Sequence, residues 1–187
     1  MKRRVLWMIP ILLLWITACK QTPPAEEMNV DPEAEKMAIM EVLERYVIAN
    51  ETKNLDLIKQ VWADKPDIVV FGTESNERLV GWDAIEEAIR KQFASFEDVY
   101  IAMTETEINL GKQCDAAWFS SMINYNFTFR DQAVSYEDLR FTGVLTKDEE
   151  GKWHIVQSHI SVPAKPRNQW PVAKAPREAE NMASDME

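Results

Sequence analysis

RFTGVLTKDEEGKWHIVQSHIS, Arg140 to Ser161, is the stretch on which the fold turns. It holds two β-type runs separated by Asp148-Glu149-Glu150-Gly151, a turn signal. The first run reaches back to about residue 135, and the second covers 152–161. Upstream lie two more long runs, 115–129 and 98–109, set apart by Arg130-Asp131-Gln132 and Gly111-Lys112. The texture before Phe96 is different. Asp31 can cap a helix and Pro32 suits its first position. Ile39, Met40, Leu43, Tyr46, Val47 and Asn50 then share one face at helical spacing. A second short helix starts after Asn54, with Leu55, Ile58, Val61 and Trp62 inward. Asp67 to Phe71 reads as a strand, Gly72 to Glu77 as a turn, and Trp82 to Phe93 as a third amphipathic helix. Strands that follow helices in this way predict an α+β fold, with helices covering one face of an antiparallel sheet.

The chain ahead of this region has a separate purpose. Lys2, Arg3 and Arg4 precede an apolar run from Val5 to Ile16, the layout of a signal peptide and too short for a mature membrane span. The run ends in Ile16-Thr17-Ala18-Cys19, which resembles a bacterial lipobox, whose cysteine is acylated and becomes the new N-terminus. The competing reading is an ordinary signal peptide with an incidental cysteine. Lipidation predicts residence in the bacterial cell envelope. Lys20 after the cysteine favours the outer membrane in double-membraned cells. Residues 1–18 are thus read as signal, 19–30 as a polar, lipidated tether, and 163–187 as a flexible tail in which Trp170 is the apolar exception. The first eighteen residues carry three basic groups and no acidic ones, so their removal takes the formal charge from −10 to −13. So acidic a chain is a poor nucleic-acid binder, and an anionic lipid surface would repel it, leaving lipid as the means of attachment. Beyond Cys19 the only cysteine is Cys114, which excludes a disulfide and a thiol-based zinc site.

Several words of the sequence resemble the nuclear transport factor 2-like superfamily, and its SnoaL-like branch in particular. They are Arg45-Tyr46-Val47, Asn54-Leu55-Asp56, Val61-Trp62-Ala63-Asp64, Val80-Gly81-Trp82-Asp83-Ala84-Ile85, Arg140 to Val144 and Gly151 to Ser161. Ketosteroid isomerases, polyketide cyclases and the association domain of calcium/calmodulin-dependent kinase II share that fold. The resemblance makes residues 31–162 the SnoaL-like domain. It implies a curved antiparallel sheet wrapped against three N-terminal helices, a cystatin-like α+β roll, which leaves an apolar cone open at one end. It also implies a homodimer formed through the outer sheet face. Tyr46 matches the family's helix-one tyrosine, which donates to a developing oxyanion. Where the isomerases place a general-base aspartate, near the end of the first strand, this chain has Val69-Val70-Phe71-Gly72.

Strand alternation supplies the remaining site expectations. It puts Tyr136, Asp138, Arg140 and Thr142 on one face, read as inward, and Leu139, Phe141 and Leu145 on the other, read as an outward apolar row. Arg140 then has to meet a ligand carboxylate or an internal partner such as Asp138 or Glu137. His159 is the titrating group, with Gln157 and Ser161 on its face, either as an acid–base or as part of a hydrogen-bonded polar layer. Trp62, Phe71, Trp82, Phe93 and Trp118 are candidates to line the cone, or simply core. His154 falls on the opposite face from His159 and no third ligand accompanies them, which argues against a catalytic metal. No phosphate-cradling glycine loop points to a cofactor. The leading expectation is a lipid-anchored binding module whose cone holds a small apolar, acidic ligand by Arg140 and His159. The alternatives are an isomerase, dehydratase or cyclase with His159 as base and Tyr46 or Arg140 stabilising negative charge, and an interaction module with a vestigial pocket.

Overall fold

The computed structural model describes residues 30–74 and 76–163. Cys19, the signal and the tail with Trp170 lie outside the described residues. Helix α1 spans Pro32–Glu51, and the Asp31 side chain caps it by accepting from the Glu33 amide. Its buried residues are Ile39, Val42, Leu43, Tyr46, Ala49 and Asn50. Four of them are those expected from spacing, while Val42 and Ala49 take the buried places expected for Met40 and Val47, which are half-buried. Helix α2, Leu55–Val61, is capped by Asn54, whose side-chain oxygen accepts from the Asp56 and Leu57 amides. The hairpin β1, Val69–Phe71, and β2, Arg78–Val80, follows, then α3, Trp82–Ser95. Four long strands complete the domain: β3 Phe96–Leu110, β4 Ala116–Phe129, β5 Gln132–Lys147 and β6 Trp153–Ser161.

The strands form one six-stranded sheet in the order β2-β1-β6-β5-β4-β3. Two expectations are corrected here. The sheet is mixed rather than antiparallel, because β1 runs parallel to β6, with Val69 opposite Gln157 and Phe71 opposite His159. It is also open, with β2 and β3 as its two edges, and is neither closed nor strongly curled into a cone. At the β2 edge the sheet is short, since β1 and β2 have three residues each.

The α1 stripe packs on the inner sheet face, where Phe119, Ile123, Phe141, Leu145 and Ile155 are buried. Phe141 contacts Phe119 edge-on at 4.8 Å and Tyr46 at 5.1 Å between ring centroids. Gly143 makes room for this packing, since a Cβ there would meet the Phe119 ring at 2.5 Å and the Gln157 carbonyl at 2.6 Å. Leu139, Phe141 and Leu145 therefore face the helices, and Arg140 and Thr142 point away from them, the reverse of the expected assignment.

Bulges explain why simple alternation misled. Asp138 has φ of 54°, and the β4–β5 register slips there, so that Tyr136 opposite Tyr125 and Leu139 opposite Ile123 reach the same side. In β6 the register against β5 slips between Ile155 and Gln157. Trp153 and Ile155 face inward before the slip and Ser158 after it, which turns Gln157, His159 and Ser161 outward.

Candidate active site

Beneath the β1–β2 loop the helices and the inner sheet face leave a cavity of about 230 Å³. Its floor is aromatic. Phe96 of β3 stacks on Phe127 of β4 at 3.9 Å, and Tyr125 and Tyr136 contact the same Phe127 ring at 5.8 and 6.3 Å. Tyr46 enters from α1 and Gln92 from α3, while Leu139 and Ile160 supply aliphatic wall. The rim is formed by Gly72, Thr73, Glu74 and Glu77 of the loop.

The loop places a carboxylate at that rim. The Gly72 amide donates to the Glu77 carbonyl at 3.0 Å, which closes the turn. The Glu77 side chain then folds back over Gly72, whose missing side chain leaves the space: a Cβ there would lie 1.9 Å from Glu77 Oε2. The Glu74 amide donates to the same oxygen at 3.3 Å. Glu77 is half-buried, and Glu74 beside it is exposed.

The phenols facing this carboxylate are held protonated. Burial pushes the Tyr46 hydroxyl well above its ordinary value, and the negative charge of Glu77 pushes it further. Tyr125 is raised chiefly by burial, then by Tyr46, and also by the charge of Glu51. The Gln92 side-chain amide donates to the Tyr125 oxygen, which leaves the Tyr125 proton free to donate elsewhere. A carboxylate thus shares one cavity with two phenols that keep their protons at neutral pH and can donate them in hydrogen bonds.

Of the side chains expected from sequence to bind ligand, only Tyr46 lines this cavity. Arg140 and His159 are exposed on the outer sheet face, with Gln157 and Ser161 on the same side. Trp118 stands on that face too, 52% exposed, and Phe71 meets the His159 ring edge-on at 5.8 Å. Trp62 and Trp82 are core residues. The expected binding of an acidic ligand in a cone by Arg140 and His159 is therefore overturned. The sheet does not form a cone, and the charged residues lining the cavity are Glu74 and Glu77. The residues missed were Glu77, placed in a turn, and Tyr125 and Phe127, whereas Tyr136, expected on the inward face, does line the cavity. Alternation along 115–129 pairs Tyr125 with Phe127 and would have found those two.

A wider groove of about 710 Å³ runs between α1, α2 and the β5–β6 turn. It is lined largely by charged side chains, including Glu35, Arg45, Lys59 and Lys152, and lacks the aromatic floor. His154 contributes there, its Nε2 2.9 Å from Asp148 Oδ2. Asp148 also accepts from the Lys152 and Glu150 amides, and these bonds hold its carboxyl below the usual range. Among the described residues no three His, Cys, Asp or Glu side chains gather as a metal site.

Three helices on a six-stranded mixed sheet, with a cavity between them, define an α+β domain of the nuclear transport factor 2-like class. Within that class the chain belongs to the SnoaL-like domain family, whose model matches residues 39–165. Solved structures agree on the fold. A nuclear transport factor 2-like superfamily protein from Salmonella enterica is 21% identical, with 78% of this chain and 99% of that one covered and a TM-score of 0.65. A proposed dehydratase of the same class from Streptomyces avermitilis is 14% identical over 72% of this chain and all of the other (100%), with a TM-score of 0.63. A proposed ketosteroid isomerase from Shewanella frigidimarina is 18% identical over 66% and 94% of the two chains, with a TM-score of 0.54. No curated protein matches the chain.

Proposed function

We propose that the chain is an enzyme of the isomerase or dehydratase type, which moves a proton at carbon next to a carbonyl. The observation that carries this reading is the half-buried Glu77 carboxylate at the rim of a cavity lined by two protonated phenols. Glu77 takes the proton from the carbon, and the C–H electron pair moves toward the carbonyl oxygen. Tyr46 and Tyr125 donate hydrogen bonds to the negative charge that develops on that oxygen. Return of the proton to a different carbon completes an isomerisation. Departure of a hydroxyl from the carbon next to the deprotonated one, with the proton returned from Glu77 to it so that it leaves as water, completes a dehydration. His159, on the outer face, takes no part. The similar folds of a proposed dehydratase and a proposed ketosteroid isomerase add support.

The test is solvent-deuterium exchange into a β,γ-unsaturated cyclic ketone, followed by NMR with the full chain. Glu77→Gln is expected to slow the catalysed exchange by ~10²–10⁴-fold, the usual contribution of a positioned base. His159→Gln is expected to leave it unchanged. Wild-type exchange no faster than buffer, or a Glu77→Gln rate equal to wild type, would remove the proposal.

We also propose that lipid on Cys19 anchors the chain in a bacterial cell envelope and that the domain pairs through its outer sheet face. The lipobox-like Ile16-Thr17-Ala18-Cys19 supports the anchor. Cys19→Ala is expected to accumulate as uncleaved precursor on a denaturing gel. A processed, soluble product from that variant would mean an ordinary signal peptide instead.

A further inference from the structure

We infer that the ligand of the cavity under the β1–β2 loop is a cation, an amine protonated at neutral pH on a small ring-sized apolar body that also carries the reacting carbonyl. The inference rests on the reading of that cavity as the active site and names the class of molecule it takes. Among the described residues that line it, two are acidic, Glu74 and Glu77, and none is basic. The interior feels this charge. Glu77 opposes ionisation of Tyr46, and Glu51, just outside, opposes ionisation of Tyr125. A ligand carboxylate could accept from the Tyr46 and Tyr125 phenols, but it would lose its water beside Glu74 and Glu77 with no cation among the described lining residues to pair it, and an unpaired desolvated charge is unfavourable. A neutral ketone can react there, but it leaves the charges of Glu74 and Glu77 without a counter-charge.

A protonated amine meets both demands. The rim supplies carboxylates, and the floor supplies the rings of Tyr46, Tyr125, Tyr136, Phe96 and Phe127, an aromatic surface that suits a cation on an apolar body. The cavity, about 230 Å³, has room for one ring with a short arm. The formal charge of −10 on the whole chain draws cations to the mouth as well.

Three near-isosteric probes isolate charge: 2-phenylethylammonium, 2-phenylethanol and phenylacetate, titrated into the full chain by calorimetry at physiological ionic strength. The cation is expected to bind at least about tenfold tighter than the alcohol, the size of a partly desolvated cation–π and carboxylate contact. Phenylacetate is expected to bind weakest. The double variant Glu74→Gln/Glu77→Gln should abolish the preference for the cation and keep the affinity for the alcohol, which also shows that the variant is folded. Equal binding of alcohol and cation, tightest binding of phenylacetate, no binding of any probe at millimolar concentration, or a preference that survives the double variant would each overturn the inference. Deuterium exchange into the ketone on the same preparations reads the enzymatic proposal separately. Exchange lost in Glu77→Gln without any charge preference sinks this inference alone. A charge preference without exchange sinks the catalytic reading alone.

Discussion

Glu35 fastens the first turns of α1 to the last hairpin with both carboxylate oxygens: Lys147 donates to Oε1 at 2.6 Å and the Trp153 indole to Oε2 at 2.7 Å. Burial is the largest single influence on this carboxyl and would raise it, but the two hydrogen bonds and the Lys147 charge together outweigh it and hold it below its ordinary value of 4.5. A carboxyl lowered in the folded state adds stability that is complete above the unfolded value and disappears as pH falls through the folded one. The melting temperature is therefore expected to fall as pH drops below 4.5, and Glu35→Gln should flatten part of that fall, since Asp148 is lowered as well. At neutral pH the variant should be less stable by ~1–3 kcal/mol, because Lys147 and the Trp153 indole lose a charged acceptor. An unchanged acid limb in the variant would show that another group sets it. At this scale the sequence was readable only where local geometry decides. Tyr46 stands out because helical spacing fixes its face. Glu77 does not, because a turn carries no periodicity and the side chain's direction depends on the space left by Gly72, five residues earlier.

Elements were more legible than faces. Each of the four long strands lies within a few residues of where composition and turn signals put it, and both N-terminal helix caps are those the residue types predict. The three-residue β2 lies between the expected turn, Gly72 to Glu77, and the third helix and was assigned to neither, being too short for any alternation to register. The faces went wrong at bulges, which add one residue and invert everything beyond them. Asp138 holds the β5 bulge with positive φ, and its amide donates to the Asn124 side chain at 2.9 Å. Leu139 and Tyr136, on either side of it, both line the cavity. Asp tolerates this backbone region, glycine prefers it, and a β-branched residue resists it. Asp138→Gly is thus expected to stay within ~1 kcal/mol of wild type in urea denaturation. Asp138→Val should lose ~1–2 kcal/mol and weaken ligand binding in the cavity, because the strand must re-register to relieve the strain. A valine variant as stable as wild type would show that the bulge does not depend on its backbone conformation.

For the whole molecule, the order of elements was sufficient to identify the superfamily, but the shape of the sheet was not. Its mixed character depends on the parallel pairing of β1 with β6, in which Phe71 meets His159, a contact between distant parts of the chain that no local pattern encodes. The proposed pairing of two copies changes its basis for the same reason. The row once read as outward, Leu139, Phe141 and Leu145, is buried against the helices and offers nothing to a partner. What the outer face presents is Trp118, 52% exposed, with Val144 beside it in register on β5 and Gln157 beyond on β6. The neighbouring row runs Ser120, Thr142 and His159. A two-fold contact is self-complementary, so a large aromatic near its centre is covered by the same patch on the second copy and becomes the side chain whose loss matters most. Trp118→Glu would bury an unpaired charge in each half of such a contact and should separate the copies. The substitution is at a surface position, so the isolated domain should keep its stability to within ~0.5 kcal/mol. Sedimentation velocity at tens of micromolar is expected to give a dimer for wild type and a monomer with unchanged circular dichroism for Trp118→Glu. A wild-type monomer under those conditions would discard the pairing, and a Trp118→Glu dimer would move it to another surface, with the β3 edge the next place to test.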